Sequence, residues 1–284
     1  MKTLYLTDLD GTFLNNNAKV SENSARIINN LIKQGLLFSI ATARTYATVV
    51  PIFDDVNLQL PLVLMNGVCI YDPVQKRTLK VHEMTEETGK EVKDLFSSFN
   101  KNPLFYFEQG SKMSVHYSAL DNKYLESYVN EREAFFNKEF LKVPSIDFKN
   151  SGSFVYVVTL DKKEHLERIH DGMLKIKGLS CNFYKDNYTG CYFLEAMKNS
   201  ISKASGAVEL KSMLGIDRIV AFGDNVNDIP LFKLADECYA VENACDELKS
   251  IATGVIGTND SDAVARFINE HFLKERRKSN GQII

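Results

Sequence analysis

The sequence predicts a doubly wound α/β fold, built on a parallel sheet, with a smaller α+β domain inserted into it. Three observations carry that prediction. Apolar strand-like runs alternate with amphipathic helices over residues 1–84. From 85 to 188 the rhythm changes to short strands paired across glycine-containing turns. From 189 to 284 the strand–helix alternation returns.

The elements read in order. Leu4-Tyr5-Leu6 is a short buried strand running into Asp8-Leu9-Asp10-Gly11-Thr12. Ser21 caps a helix that reaches Gln34, with Ile27, Ile28, Leu31 and Ile32 as its apolar stripe and Gly35 as its stop. Leu36 to Ala41 is a second strand, ending at Thr42-Ala43-Arg44, and Pro61 to Met65 a third, ending at Asn66-Gly67. The insert holds a helix from Glu86 to Phe99 and two strands, Leu104 to Glu108 and Met113 to His116, paired about Gln109-Gly110-Ser111. A helix from Leu120 to Phe136, a strand from Phe154 to Leu160, a helix after Asp161 and a strand from Leu179 to Tyr184 complete it. Tyr192 to Glu195 then reads as the strand on which the first domain resumes. A helix from Ser202 to Leu214 and a strand from Ile219 to Phe222 lead to Gly223-Asp224-Asn225-Val226-Asn227-Asp228. Ile229-Pro230 opens a further helix, proline being tolerated in a first turn. Cys238 to Val241 is a strand, and helices follow from Asp246 to Ala252 and from Asp260 to about Phe272.

Composition narrows the class of partner. The 284 residues are 44% hydrophobic and 25% charged, as in ordinary globular proteins. A net charge of −3 supplies no general attraction to nucleic acid or to an anionic membrane. No apolar run approaches the length of a membrane span, and no secretory signal precedes Asp8. The expectation is a cytoplasmic protein, monomeric or weakly homodimeric. Cys69, Cys181, Cys191, Cys238 and Cys245 are scattered and form no Cys-x-x-Cys pair, so free thiols are expected.

Chemistry gathers at predicted strand ends. Asp8 and Asp10, Thr42, and Asp224 with Asn227 and Asp228 all follow strands, and a parallel sheet brings such ends to one edge. Lys203, opening a helix, can reach the same edge. Acids placed together repel one another and lose solvation, so a cation or a catalytic task must compensate. Hard carboxylate oxygens suit Mg²⁺ shared with a substrate phosphate. A lysine and a metal together neutralise a phosphoryl group approached by a carboxylate.

These residues, in this order and spacing, resemble the four motifs of the haloacid dehalogenase-like (HAD) superfamily. Asp8-Leu9-Asp10-Gly11-Thr12 is similar to its first motif, Thr42 to its second, Lys203 to its third, and Gly223 to Asp228 to its fourth. The insert resembles the C2B cap domain of the Cof-type subfamily IIB sugar-phosphate phosphatases, and Asn66-Gly67 and Asn243-Ala244 match positions typical of that group. Where the family often has glycine after the third-motif lysine, this chain has Ala204-Ser205 before Gly206.

The resemblance implies a Rossmann-like catalytic core over 1–84 and 189–284 and a cap over 85–188. It implies a Mg²⁺-dependent phosphatase acting on small phosphorylated metabolites, sugar phosphates foremost, through an aspartyl-phosphate. Asp8 would be the nucleophile and Asp10 the general acid–base. The metal would sit on the Asp8 carboxylate, the Asp10 backbone carbonyl and Asp224, with Asp228 one layer behind. Thr42, Lys203 and Asn227, with the amide of Ala43, would hold the phosphoryl oxygens. A phosphohexomutase of the same superfamily and a non-catalytic metabolite-binding regulator are the competing readings.

Overall fold

The computed structural model describes residues 1–136, 139–186, 189–279 and 281. The chain divides into two compact units, residues 1–76 with 202–284 and residues 77–201.

The first unit opens with β1 (Thr3–Thr7), α1 (Glu22–Lys33), β2 (Leu37–Ile40), α2 (Tyr46–Val49), β3 (Leu62–Leu64) and β4 (Cys69–Asp72). Leu4, Tyr5 and Leu6 are all buried, so β1 is covered on both faces. That is why it reads as a continuous apolar run rather than an alternating one. Ser21 caps α1 as expected, its Oγ accepting the Ser24 amide at 2.9 Å. Gly35, at φ 95, turns the chain away from the helix.

The second unit follows with β5 (Arg77–Val81), α3 (Glu86–Ser98), β6 (Leu104–Gln109), β7 (Lys112–Tyr117), α4 (Lys123–Phe136), β8 (Glu139–Lys142), β9 (Ser153–Asp161), α5 (Lys163–Met173), β10 (Leu179–Lys185) and β11 (Tyr192–Lys198). Six of its strands form one sheet in the order β10-β11-β9-β6-β7-β8. Val92 and Phe96 of α3 and Leu166, Ile169 and Met173 of α5 pack on Phe105, Phe107, Val157 and Leu194 of that sheet.

The structure overturns one expectation. Tyr192 to Glu195 does not return the chain to the first unit. It belongs to β11, which pairs antiparallel with β10 along seven residues and with β9 on its other side. The apolar residues Leu194 and Ala196 join the second unit's core. Locally, a strand before a helix looks the same whichever sheet it joins. The units therefore divide at Arg77 and Ile201, outside the expected bounds of 85 and 188. Tyr188 itself lies outside the described residues.

The first unit resumes with α6 (Lys203–Leu214), β12 (Arg218–Gly223), α7 (Ile229–Leu234), β13 (Glu237–Val241), α8 (Asp246–Ile251), β14 (Gly254–Ile256) and α9 (Ala263–Ser279). Its main sheet has the order β14-β13-β12-β1-β2, every pair parallel. A bridge from Ala41 to Val63 carries the sheet on towards β3. From β1 the chain winds outward through β2, then returns to β1's other side at β12 and winds the opposite way. The carboxyl ends of β1 and β12 thus flank the switch point, where open α/β sheets bind ligands.

All five cysteines are free thiols. Among the described residues, no helix is long and apolar enough to cross a membrane.

Candidate active site

Asp8 is the first residue beyond β1, and its amide donates to the Phe222 carbonyl at 3.0 Å, tying it to the end of β12. The chain then makes one wide turn over Leu9–Phe13, closed by the Leu14 amide on the Leu9 carbonyl at 2.9 Å. Inside it Asp10 is extended (ψ 122) and Gly11 is left-handed (φ 73), a conformation that favours glycine. Leu9, Phe13 and Leu14 are buried and anchor the turn from below.

Lys203 is fully buried, and its Nζ lies 2.6 Å from Asp8 Oδ1 and 2.7 Å from Asp228 Oδ1. Three local features fix its reach. Ser202 caps α6 through a reciprocal pair with Ser205, so Lys203 is the first helical residue. Gly67, at φ 97, packs so closely on Ser202 that a Cβ would sit 2.1 Å from the Ser202 carbonyl oxygen. Gly206 gives the close approach to β3, where a Cβ would meet Val63 Cγ1 at 2.3 Å. The glycine this helix needs is thus three residues beyond the lysine.

The other oxygen of Asp228 accepts the amides of Asp224 (3.0 Å) and Asn225 (3.2 Å). A Cβ on Gly223 would lie 2.6 Å from Asp228 Cγ, so only glycine fits there. Asp224 accepts the Thr12 hydroxyl at 3.2 Å. Asp8, Asp224 and Asp228 each bring a carboxylate oxygen within 4.8 Å of the others.

The electrostatics follow from this crowding. Burial, which outweighs the pull of Lys203 and is joined by the charge of Asp228, leaves the Asp8 carboxyl raised to about 7. Burial likewise raises Asp224 well above the carboxylate range, with the charges of Asp8 and Asp228 adding to it. Burial alone would lower Lys203, but Asp228 and Asp8 more than offset this and hold the ammonium above its ordinary value. One buried cation therefore faces three acids. The donor set is all hard oxygen, and the acids are destabilised by their own charge, which is what a Mg²⁺ ion relieves. The residues present fit that metal.

The remaining predicted residues sit on neighbouring loops. Thr42 is buried at the end of β2; its amide donates to Val63 and its Oγ1 accepts the Arg44 amide at 3.1 Å. Ala43 lies between them, half-buried. Asn227 donates to Asn66 Oδ1 at 3.2 Å, and the Asn66 amide donates to the Thr42 carbonyl at 2.9 Å. Asn66, left-handed at φ 55, thereby links the loop of Thr42 to that of Asn227.

Asp10 stands apart from the Lys203 group. Both its oxygens are taken by Arg44, Nε at 2.7 Å and Nη2 at 2.6 Å. Sequence reasoning placed Arg44 at a strand end but gave it no role. Its partner is 34 residues away, and no local pattern says which acid it meets. Thr12 was missed for the same reason.

Fold and site together define an α/β enzyme that gathers acids around a buried lysine at its switch point. The sequence profile described as haloacid dehalogenase-like hydrolase matches residues 5–268. The 5-amino-6-(5-phospho-D-ribitylamino)uracil phosphatase YitU of Bacillus subtilis (strain 168) is 26% identical over 281 residues, covering 95% of this chain and 97% of that protein. The pyridoxal phosphate phosphatase YbhA of Escherichia coli (strain K12) is 22% identical over 270 residues, covering 94% and 97%. The crystal structure of a haloacid dehalogenase-like hydrolase from Bacteroides thetaiotaomicron aligns with a TM-score of 0.79 at 20% identity, over 96% of this chain and 100% of that one, a likeness of fold. The chain belongs to the haloacid dehalogenase-like hydrolase family, among its phosphatases.

Proposed function

We propose that the protein is a Mg²⁺-dependent phosphomonoesterase that hydrolyses small phosphorylated metabolites, sugar phosphates foremost, through an aspartyl-phosphate on Asp8. The observation that carries this reading is the buried Lys203 ammonium held 2.6 Å from Asp8 at the switch point, with Asp224 and Asp228 beside it. Asp8 attacks phosphorus; the P–O bond to the alcohol breaks, and Asp10 supplies the proton that the departing alkoxide takes. Asp10 then removes a proton from the water that cleaves the acyl phosphate, freeing Asp8 and inorganic phosphate. Lys203, Thr42, Asn227 and the amide of Ala43 hold the phosphoryl oxygens. Asp228 aims Lys203 and orders the Asp224 loop. Asp8, Asp224 and the Asp10 backbone carbonyl would hold Mg²⁺, whose charge offsets the repulsion between nucleophile and phosphoryl group.

Small substrates fit the names of YitU and YbhA, which specify two phosphorylated small molecules of unlike skeleton. The test is phosphate release from a panel of sugar phosphates with and without Mg²⁺, repeated with Asp8→Asn. Turnover should need the metal and vanish in the variant. Undiminished turnover by Asp8→Asn would refute the nucleophile assignment.

A pH dependence follows. An acid with a raised folded pKa stabilises the fold below its unfolded pKa of about 4 and loses that contribution as pH rises through the folded value. For Asp8 the loss runs up to about 7. In EDTA, this site should therefore lower stability between pH 5 and pH 8. Mg²⁺ should raise Tm strongly at pH 8 and weakly at pH 5.5, because protons compete for the same oxygens. Thermal melts in EDTA and in excess Mg²⁺ at both pH values measure this. An equal rise at the two pH values would count against metal binding by these acids.

A further inference from the structure

We infer that Asn243 and Asn259 are positioning residues for the turn that carries Asp10, their side chains holding two separate carbonyls of it. The inference rests on the reading of Asp8 and Asp10 as reacting groups. Asn243 Nδ2 donates to the Gly11 carbonyl at 2.8 Å. Its Oδ1 accepts the Asn259 amide at 3.0 Å. Asn259 Nδ2 in turn donates to the Leu14 carbonyl at 2.9 Å and to Asn16 Oδ1 at 3.2 Å. Asn259 is buried, at 7% exposure. Two side chains from the loops after β13 and β14 thus hold carbonyls at the middle and at the exit of the Leu9–Phe13 turn.

The turn needs such a hold. Its entry is fixed by the β-ladder through the Asp8 amide, and its closure by one backbone bond from Leu14 to Leu9. Between them lies Gly11, the residue with the most conformational freedom, at a left-handed φ. The orientation of the Gly11–Thr12 peptide decides where Thr12 meets Asp224 and, through the Gly11 dihedrals, how the Asp10 backbone is presented. Asn243 pins that peptide by its oxygen. Asn259 pins Asn243 and, independently, the peptide after Leu14. Losing such an outer contact costs about 10- to 100-fold in activity when it orients a reacting group.

The neighbouring Asp262 provides an internal control. It accepts hydrogen bonds from Ser21, Asn23 Nδ2 and Ser24 Oγ, so it ties the start of α1 to the start of α9 and does not touch the turn.

The experiment compares Asn243→Ala, Asn259→Ala, their double variant and Asp262→Asn in the full chain with Mg²⁺. Initial rates on 4-nitrophenyl phosphate and hydrogen exchange of the segment 9–14 are both read. Each single variant should lower kcat about 10- to 100-fold with KM held within about twofold. Each should also speed exchange in that segment. The double variant should be slower than either single, because the two side chains hold different carbonyls and the backbone amide that Asn243 accepts survives Asn259→Ala. Asp262→Asn should lower Tm and leave kcat unchanged. If Asn259→Ala does not fold, Asn259→Asp keeps the shape and removes the donor. Unchanged kcat in both singles would overturn the inference. A parent enzyme without turnover would refute the proposed function instead, and unchanged exchange in the variants would then still overturn the positioning role.

Discussion

Replacing Lys203 with alanine is expected to abolish turnover and to destabilise the protein by on the order of 3–5 kcal/mol, the usual cost of removing one partner from a buried ion pair. The loss is electrostatic before it is catalytic. Lys203 is fully buried and contacts two carboxylates, Asp8 at 2.6 Å and Asp228 at 2.7 Å. A third, Asp224, has an oxygen within 4.8 Å of theirs. Without the ammonium these acids must protonate or draw in another cation, and the amides that Asp228 holds at Asp224 and Asn225 lose a charged acceptor. Lys203→Met separates charge from volume: it refills the space, so its stability loss reports the electrostatic part. Urea unfolding in EDTA measures that loss, and added Mg²⁺ should recover some of it. Catalysis should not recover, because a phosphoryl oxygen would lack its donor. A Lys203→Met protein as stable as the parent in EDTA would show that the three acids do not need this cation.

What the sequence disclosed here was whatever a short stretch of chain decides by itself. Leu4-Tyr5-Leu6 before Asp8 is a buried strand because no other element suits three large apolar residues so close to a glycine turn. Ser21 and Ser202 announce helix starts because a hydroxyl must satisfy amides that the helix cannot. Asp8, Thr42, Asp224, Asn227 and Asp228 follow parallel strands to one sheet edge, a topology legible in the strand–helix alternation, and the Ser202 cap with Gly67 and Gly206 brings Lys203 to join them. The failures concern partner choice over distance. Tyr192–Lys198 has the same apolar pattern whether it extends a parallel sheet or closes an antiparallel one. It joined β10 and β9, where Leu194 and Ala196 meet the apolar core of the second unit. Arg44 stands at a strand end and Thr12 in the first motif, but the sequence names no partner for either. The structure gives them acids 34 and 212 positions away. Gly223 and Gly67 look like turn glycines, yet both are needed for space as well, beside Asp228 and Ser202.

Asp10→Asn is expected to slow turnover by about 10²–10⁴-fold, the range that general acid–base help supplies, while Mg²⁺ affinity stays close to that of the parent. The division follows from which part of Asp10 does what in the proposed mechanism: its carbonyl, which the substitution keeps, serves the metal, and its carboxyl moves protons. Arg44 adds a condition. A carboxylate whose two oxygens both accept from one guanidinium, at 2.6 and 2.7 Å, has no proton to donate in that arrangement. Arg44 must yield at least one oxygen before Asp10 can protonate a leaving group, and a phosphate ester arriving beside it is an anion able to compete for the guanidinium. Arg44→Ala should therefore cost less than Asp10→Asn, and the double variant should be no slower than Asp10→Asn alone, since Arg44 acts through the carboxylate that variant has lost. Isothermal titration of Mg²⁺ into each variant, beside kcat and KM on one sugar phosphate, separates the effects. Loss of Mg²⁺ binding by a folded Asp10→Asn protein would contradict the division of roles. A double variant slowed by the product of the two single effects would show that Arg44 works on something other than Asp10.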